Sequence, residues 1–82
     1  MTPMNKGFEV ILASSSQYSE LVAEIYFDGA FVALLNKEKG ADNIELELAD
    51  ASVDQSMVCR NLDLKSLLAA VEVARQRLIG KV

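Results

Sequence analysis

Cys59 is the residue whose type and position most directly suggest nucleophilic chemistry. Arg60 follows it and a predicted helix begins soon after, and both cations and helix N-termini make thiols more reactive. The sequence contains no histidine, so no Cys–His pair can form to activate the thiol. Because free cysteines are among the most often buried residues, we interpret Cys59 as a cysteine of the core or of a sheet edge.

Three glutamates are the second candidate for chemistry. Glu45 and Glu47 project from one face of a predicted strand, about 7 Å apart along the chain, and Glu24 could join them from a neighbouring strand. Paired carboxylates can perform acid–base or glycosidase chemistry, but they need a cleft that a flat sheet face does not readily supply. We therefore interpret them as a solvated face or as an acidic patch for a partner, and we predict no catalytic residue.

Neither a metal nor a cofactor site is predicted. The acidic residues between Asp42 and Glu45 and between Asp50 and Asp54 lack the ligand spacing of a calcium loop. The single cysteine excludes a cysteine-based zinc site. The four glycines, at positions 7, 29, 40 and 80, stand singly, so none builds a phosphate-binding loop.

Composition limits the class of partner. The 82 residues make one domain, and an apolar share of 51% excludes a disordered chain. A net charge of −4 repels nucleic acid and anionic membranes and attracts basic protein surfaces. One cysteine permits no internal disulfide, and we expect neither a signal peptide nor a membrane-spanning segment. The sequence therefore predicts a cytoplasmic protein whose partner is another protein.

The predicted elements that position the candidate cysteine and glutamates are arranged around a hairpin. Asp28-Gly29 lies between two β-prone runs and predicts a type I′ turn. Residues 1–6 are expected to form a loosely attached end, and Phe8 to Ala13 alternate as a first strand. We interpret Tyr18 to Phe27 as the second strand, although Ser16 could instead begin a helix.

A two-residue turn sets the register of the hairpin. The predicted pairs are Phe27–Ala30, Tyr26–Phe31, Ile25–Val32, Glu24–Ala33 and Val22–Leu35. One face of the hairpin then carries Val22, Glu24, Tyr26, Phe31, Ala33 and Leu35. Both faces are largely apolar, whereas a small antiparallel sheet usually has one polar face.

The remaining elements complete the sheet and cover it. Ile44 to Leu48 alternates strictly, with the apolar residues predicted in the core and Glu45 and Glu47 outside; Ser56 to Cys59 could add a fifth, edge strand. A C-terminal helix is capped by Asp63, or by Asn61, and stops at Gly80. Its apolar stripe is Leu64, Leu67, Leu68, Val71, Ala74 and Leu78. The predicted fold is α+β: an antiparallel meander of four to five strands packed on one helix.

A single helix covers one face of such a sheet, so the other face is a candidate protein interface. Its predicted residues are Val22, Glu24, Tyr26, Phe31, Leu35, Glu45 and Glu47. A symmetric dimer that pairs sheet faces or edges would be the simplest assembly. Three alternatives remain open: another register, an N-terminal segment that covers the patch, or a sheet that curls around the helix.

The order of segments resembles one protein class. The run AEIYFDG, the following FVALL, the strand IELEL and the final helix LDLKSLLAAVEVA look like the small immunity proteins of bacterial polymorphic toxin systems, over roughly residues 8–79. The resemblance implies a non-enzymatic inhibitor that binds and blocks a cognate toxin domain, and it carries over no binding residue. The other functions considered are a homodimeric structural or accessory protein and a small enzyme or ligand-binding domain.

Overall fold

The computed structural model describes residues 7–80. Their elements are β1 Phe8–Ala13, β2 Val22–Phe27, β3 Ala30–Asn36, β4 Glu45–Glu47, a 3₁₀ turn Gln55–Met57 and α1 Leu64–Leu78. The strands form one antiparallel sheet in the order β1-β2-β3-β4. Helix α1 packs on one side, the inner face, and leaves the other side, the outer face, without a helix. The predicted α+β fold is confirmed, while the expectation for residues 1–6 lies outside the described residues.

The Asp28-Gly29 turn that joins β2 to β3 has the predicted geometry. Asp28 has a φ of 50° and Gly29 a φ of 83°, as the two central residues of a type I′ turn require. The backbone N–H of Asp28 donates to the carbonyl of Gly7 at 2.8 Å, which ties the start of β1 to the turn. The hairpin therefore anchors three consecutive strands at one end of the sheet.

The predicted register holds at the turn and fails beyond it. Phe27 pairs with Ala30 and Tyr26 with Phe31, but the register then shifts by one residue. The predicted pairs Ile25–Val32, Glu24–Ala33 and Val22–Leu35 are wrong; the observed pairs are Ile25–Ala33, Glu24–Leu34, Ala23–Leu35 and Val22–Asn36. The shift is a β-bulge in β3, where an extra residue leaves two residues opposite one.

The bulge exchanges the faces of two adjacent leucines. Val32 is the extra residue, and Val32 and Ala33 are both buried in the core cluster with Ile25. Every later residue of β3 is therefore turned to the face opposite the one predicted. Leu35 lies in the core with 2% of its surface exposed, and Leu34 takes its place on the outer face.

Helix α1 begins as the sequence predicts. Asp63 is the N-cap, and its carboxylate accepts a hydrogen bond from the backbone N–H of Ser66 at 2.9 Å. Leu62 and Leu67, at the positions of a hydrophobic staple, both pack against the core cluster. After the helix, Gly80 has a φ of 80°, the left-handed conformation that commonly ends a helix.

The buried stripe of α1 is rotated from the predicted one. Ala70, Ala74 and Leu78 are its buried residues, whereas Leu64 and Leu68 are 67% and 59% exposed. Small alanines on the contact line let the helix approach the sheet closely. The prediction that Leu64 and Leu68 face the core is wrong, because the side of the helix that carries Ala70 and Ala74 packs on the sheet instead.

The fourth strand is shorter than predicted and poorly covered. Leu46 pairs with Leu35 and so lies on the inner face, yet it is 47% exposed, and Leu48 is 73% exposed. Both were expected in the core, but α1 packs on β1, β2 and β3 instead. The possible fifth strand is a 3₁₀ turn followed by one parallel bridge between Val58 and Phe31.

Candidate protein-binding face

The strand pairs define the outer face row by row. Directly opposed residues of antiparallel strands point to the same side of the sheet, so each row across the strands shares a face. The outer rows are Glu9–Tyr26–Phe31, then Ile11–Glu24–Leu34–Glu47, then Ala13–Val22–Asn36–Glu45. Apolar and acidic side chains thus alternate over this face, and no lysine or arginine of the strands lies on it.

An aromatic pair lies near the turn end of the outer face. The rings of Tyr26 and Phe31 meet edge to face, with centroids 5.9 Å apart and an interplanar angle of 78°, a preferred geometry for aromatic pairs. The predicted cross-strand pair is therefore confirmed. The hydroxyl of Tyr26 donates to Glu24 Oε1 at 3.1 Å. Partial burial, and then this bond to a carboxylate, raise the pKa of Tyr26, so the hydroxyl remains a donor at neutral pH.

Two aliphatic residues extend the aromatic pair. Ile11, which is 37% exposed, and the half-buried Leu34 lie on either side of Glu24 in the next row. Rows on one face are separated by about 7 Å along each strand, so these side chains are neighbours of the rings. The result is an apolar patch with Glu24 inside it and with Glu9 and Glu47 at its two sides.

The four glutamates of the outer face have different surroundings. Glu47 accepts hydrogen bonds from the Tyr18 hydroxyl at 2.8 and 2.9 Å and from Asn36 Nδ2 at 2.5 Å. The bond to Glu47 is the main cause of the raised pKa of Tyr18. Glu45 forms an exposed ion pair with Lys39 at 2.8 Å. Among residues 7–80, no cation pairs with Glu9 or Glu24, which lie next to Tyr26 and Ile11 on this face.

The connection between β1 and β2 covers the far end of the outer face. Tyr18 belongs to this connection yet reaches Glu47 of β4, so its side chain crosses the Val22–Asn36 row. Glu38 holds the same connection by accepting bonds from the backbone of Ser19 and Glu20 at 3.1 and 3.0 Å. A hydrogen bond from the Ser19 hydroxyl, and then these two backbone bonds, lower the pKa of Glu38. Val22 is 0% exposed at this covered end.

The structure brings together only part of the predicted interface. Glu24, Tyr26 and Phe31 lie side by side, and Glu45 and Glu47 lie toward the β4 edge of the same face. Val22 and Leu35 are fully buried and cannot touch a partner.

Sequence reasoning missed three members of the face, Glu9, Ile11 and Leu34. Alternation in β1 places Glu9 and Ile11 on one side of their strand, and the predicted meander places that strand beside the hairpin, but no sequence signal fixed its register there. Leu34 reaches the face only through the bulge.

The candidate chemical groups do not form an enclosed cluster. Glu24, Glu45 and Glu47 lie on an open sheet face, and Glu45 and Glu47 are held by their structural partners. Cys59 is half-buried and lines a cavity together with Leu48 and Leu64, with Sγ 3.8 Å from the carbonyl of Asn61. Within residues 7–80, no three histidine, cysteine or acidic residues come together as metal ligands. The glutamates therefore lie on an open sheet surface, apart from the cavity that Cys59 lines.

No protein-family model, curated protein or solved structure matches this chain. In the described part of the chain, no helix has the length and apolar character needed to cross a membrane. The fold class is therefore defined by the sheet and the helix of this chain alone: an antiparallel α+β meander with one helix.

Proposed function

We propose that this chain is a non-enzymatic protein-binding module that holds a basic protein surface against its outer face. One observation carries the proposal. The side of the sheet opposite α1 presents the Tyr26–Phe31 pair with Ile11, and Glu9 and Glu24 beside them have no cationic partner among the described residues.

The physical reasons are contact area and charge. Aromatic side chains supply large, rigid contact area and are enriched at the centre of protein interfaces. Carboxylates at the rim guide a cationic partner to the surface and exclude anionic ones. The net charge of −4 acts in the same direction at longer range, and it disfavours nucleic acid as the partner.

The resemblance to immunity proteins suggests the kind of partner. A toxin domain with a basic surface would place its lysines and arginines against Glu9 and Glu24 and an apolar side chain against Phe31. The proposal locates the chain in the cytoplasm, where a single unpaired cysteine is chemically stable. A homodimeric accessory protein is the second candidate, favoured by the exposed side chains of Leu48 and Leu64, which line a cavity on the inner face.

The test uses the protein encoded by the gene next to the gene of this chain, since an immunity protein is expected beside its toxin. Co-expression should restore growth that the neighbouring protein alone suppresses, and the two purified proteins should bind in titration calorimetry. Phe31→Ala should weaken binding by about 30-fold, the usual loss for a central aromatic contact.

A matched pair of charge reversals isolates the acidic part of the face. Glu9→Lys and Glu20→Lys change the net charge equally, but Glu20 is exposed in the connection before β2, outside the strand rows of the outer face. Glu9→Lys should reduce the association rate and its dependence on salt, and Glu20→Lys should change both far less. Equal effects of the two variants, or no binding at any salt concentration, would refute the proposal.

A further inference from the structure

A cavity of about 460 Å³ lies where the edge of β3 that faces away from β2 is interrupted. On this edge β4 pairs with residues 34–36, and Val58 forms one bridge to Phe31. Among the described residues, Val32 and Ala33 therefore have no strand partner there, and Val32 lines the cavity. The interruption is shorter than the roughly three residues of the shortest ordinary strands, so it does not fit an added strand of another protein.

The lining of the cavity runs from buried to exposed aliphatic side chains. Val32, which is 7% exposed, and the half-buried Leu67 are its most enclosed leucine and valine. Leu48 and Leu64 also line it and are 73% and 67% exposed. Among the described residues, no aromatic ring lines the cavity. An alkyl chain would be buried by such a lining, whereas an aromatic ligand would find no ring to pack against.

Three consecutive residues, Cys59, Arg60 and Asn61, supply the polar part of the lining. Arg60 is the one charged residue among the described residues of the lining, and within residues 7–80 neither its guanidinium nor the side-chain amide of Asn61 forms a hydrogen bond or an ion pair. The nearest acid along the chain, Asp63, lies outside the lining and accepts from the backbone N–H of Ser66. In a chain of net charge −4, this cavity therefore suits an anion.

We propose that the cavity binds a medium-chain aliphatic carboxylate, with the alkyl chain against Val32, Leu64 and Leu67 and the carboxylate at Arg60. A guanidinium donates to both oxygens of a carboxylate. The volume of about 460 Å³ is typical of small-molecule sites. At roughly 30 Å³ for each heavy atom, as in liquid water, it holds on the order of 15 atoms, which an acid of about eight to ten carbons fits. The cavity shares no residue with the rows of the outer face, so it is independent of the proposed function.

The length of the alkyl chain tests the apolar part of the site. Titration calorimetry would measure the binding of butanoate, hexanoate and octanoate to the whole chain at one pH and one salt concentration. Each added methylene should tighten binding by about two- to four-fold, the upper figure being that of a fully buried methylene. Failure of octanoate to bind, or an affinity that does not rise with chain length, would overturn the proposal.

Two exposed leucines of α1 provide a matched pair of variants. Leu64 lines the cavity, whereas Leu68, which is 59% exposed, does not. Because both side chains are largely in water, alanine at either position should leave the fold intact, which circular dichroism verifies. Leu64→Ala should weaken octanoate binding by about three-fold or more, and Leu68→Ala should leave it unchanged. Equal weakening by the two variants would contradict a ligand in this cavity.

Octanamide, which has the same chain without the charge, tests the contact with Arg60. The wild type should bind octanoate about five-fold more tightly than octanamide, the effect of an exposed ion pair. Arg60→Gln should remove this preference and leave the affinity for octanamide unchanged. Lys65→Gln removes the same charge from an exposed residue outside the lining, so it should keep the preference. A preference that survives Arg60→Gln, or that Lys65→Gln removes equally, would refute the carboxylate contact.

Cys59 reports on the occupied site directly. It is half-buried and lines the cavity, so saturating octanoate should slow its alkylation by iodoacetamide several-fold, as followed by mass spectrometry. Butanoate at the same concentration should slow it less, because fewer of its carbons reach the lining. If octanoate binds but the alkylation rate of Cys59 does not change, the ligand lies elsewhere and the proposal is overturned.

Discussion

Two adjacent leucines of β3 provide a direct test of the bulge. With Val32 as the extra residue, Leu35 is 2% exposed in the core and Leu34 is half-buried on the outer face. Leu35→Ala should therefore lower the free energy of unfolding by about 3 kcal/mol, within the range for buried leucines. Leu34→Ala should lower it by only about 1 kcal/mol, because less of that side chain is removed from water.

These losses are large compared with the total stability. A domain of this size is stable by roughly 4–12 kcal/mol, and each kcal/mol corresponds to about 4–8 °C in melting temperature. Urea titrations followed by circular dichroism at one protein concentration would give both free energies, and equal slopes would show that the unfolded states are comparable. Without the bulge the two leucines exchange faces, so equal losses, or a larger loss for Leu34→Ala, would refute the register.

Three further predictions follow from single sites. Gly7→Ala should lower the free energy of unfolding, measured in urea, by about 2 kcal/mol or more, because Gly7 has a φ of 84° and an added Cβ would lie 2.5 Å from Asp28 Oδ1. A loss smaller than that of an ordinary surface glycine would contradict this prediction. Glu47→Ala should cost about 1–3 kcal/mol in the same assay, since it leaves the amide of Asn36, a residue only 3% exposed, without its acceptor; an unchanged midpoint would exclude this role. Helix side chains hold the pKa of Glu72 at about 2, below its ordinary 4.5, mainly through a hydrogen bond from the arginine one turn further along. Because the pKa of Glu72 is lower in the folded state than in the unfolded state, its ionised carboxylate stabilises the fold above about pH 4.5, and this stabilisation is lost as the pH falls to about 2. Over that pH range the melting temperature of Glu72→Gln should therefore fall by less than that of the wild type.

Local sequence patterns predicted the strands and the helix, but not the strand register or the buried side of the helix. The ends of β1, the Asp28-Gly29 turn and the Asp63 cap depend on a few neighbouring residues, and each was predicted correctly. The start of β2 was placed too early, at Tyr18, because that residue has β propensity but bonds to Glu47 in place of a strand partner. Hydrogen bonds between distant segments are invisible to a local pattern.

The bulge and the rotation of α1 are both results of packing. Nothing in the run Ala30–Asn36 marks Val32 as an extra residue, and the bulge brings both Val32 and Ala33 into the core cluster. In α1, hydrophobicity favours a stripe through Leu64 and Leu68, but close approach to the sheet favours the line of Ala70 and Ala74. The sequence predicted a hairpin with two largely apolar faces, and packing decided which of those side chains stay exposed.

The bulge also decides which leucine a partner meets on the outer face. If the proposed function is correct, Leu34 borders the contact with the partner while Leu35 lies beneath it in the core. Leu34→Ala should then weaken binding of the neighbouring gene's protein more than it weakens folding. Leu35→Ala should do the reverse, with near-normal affinity at temperatures where the variant remains folded. If both variants lost affinity and stability to the same extent, the outer face and the core would be energetically coupled. That result would contradict the division into a contact surface and a buried scaffold that the register implies.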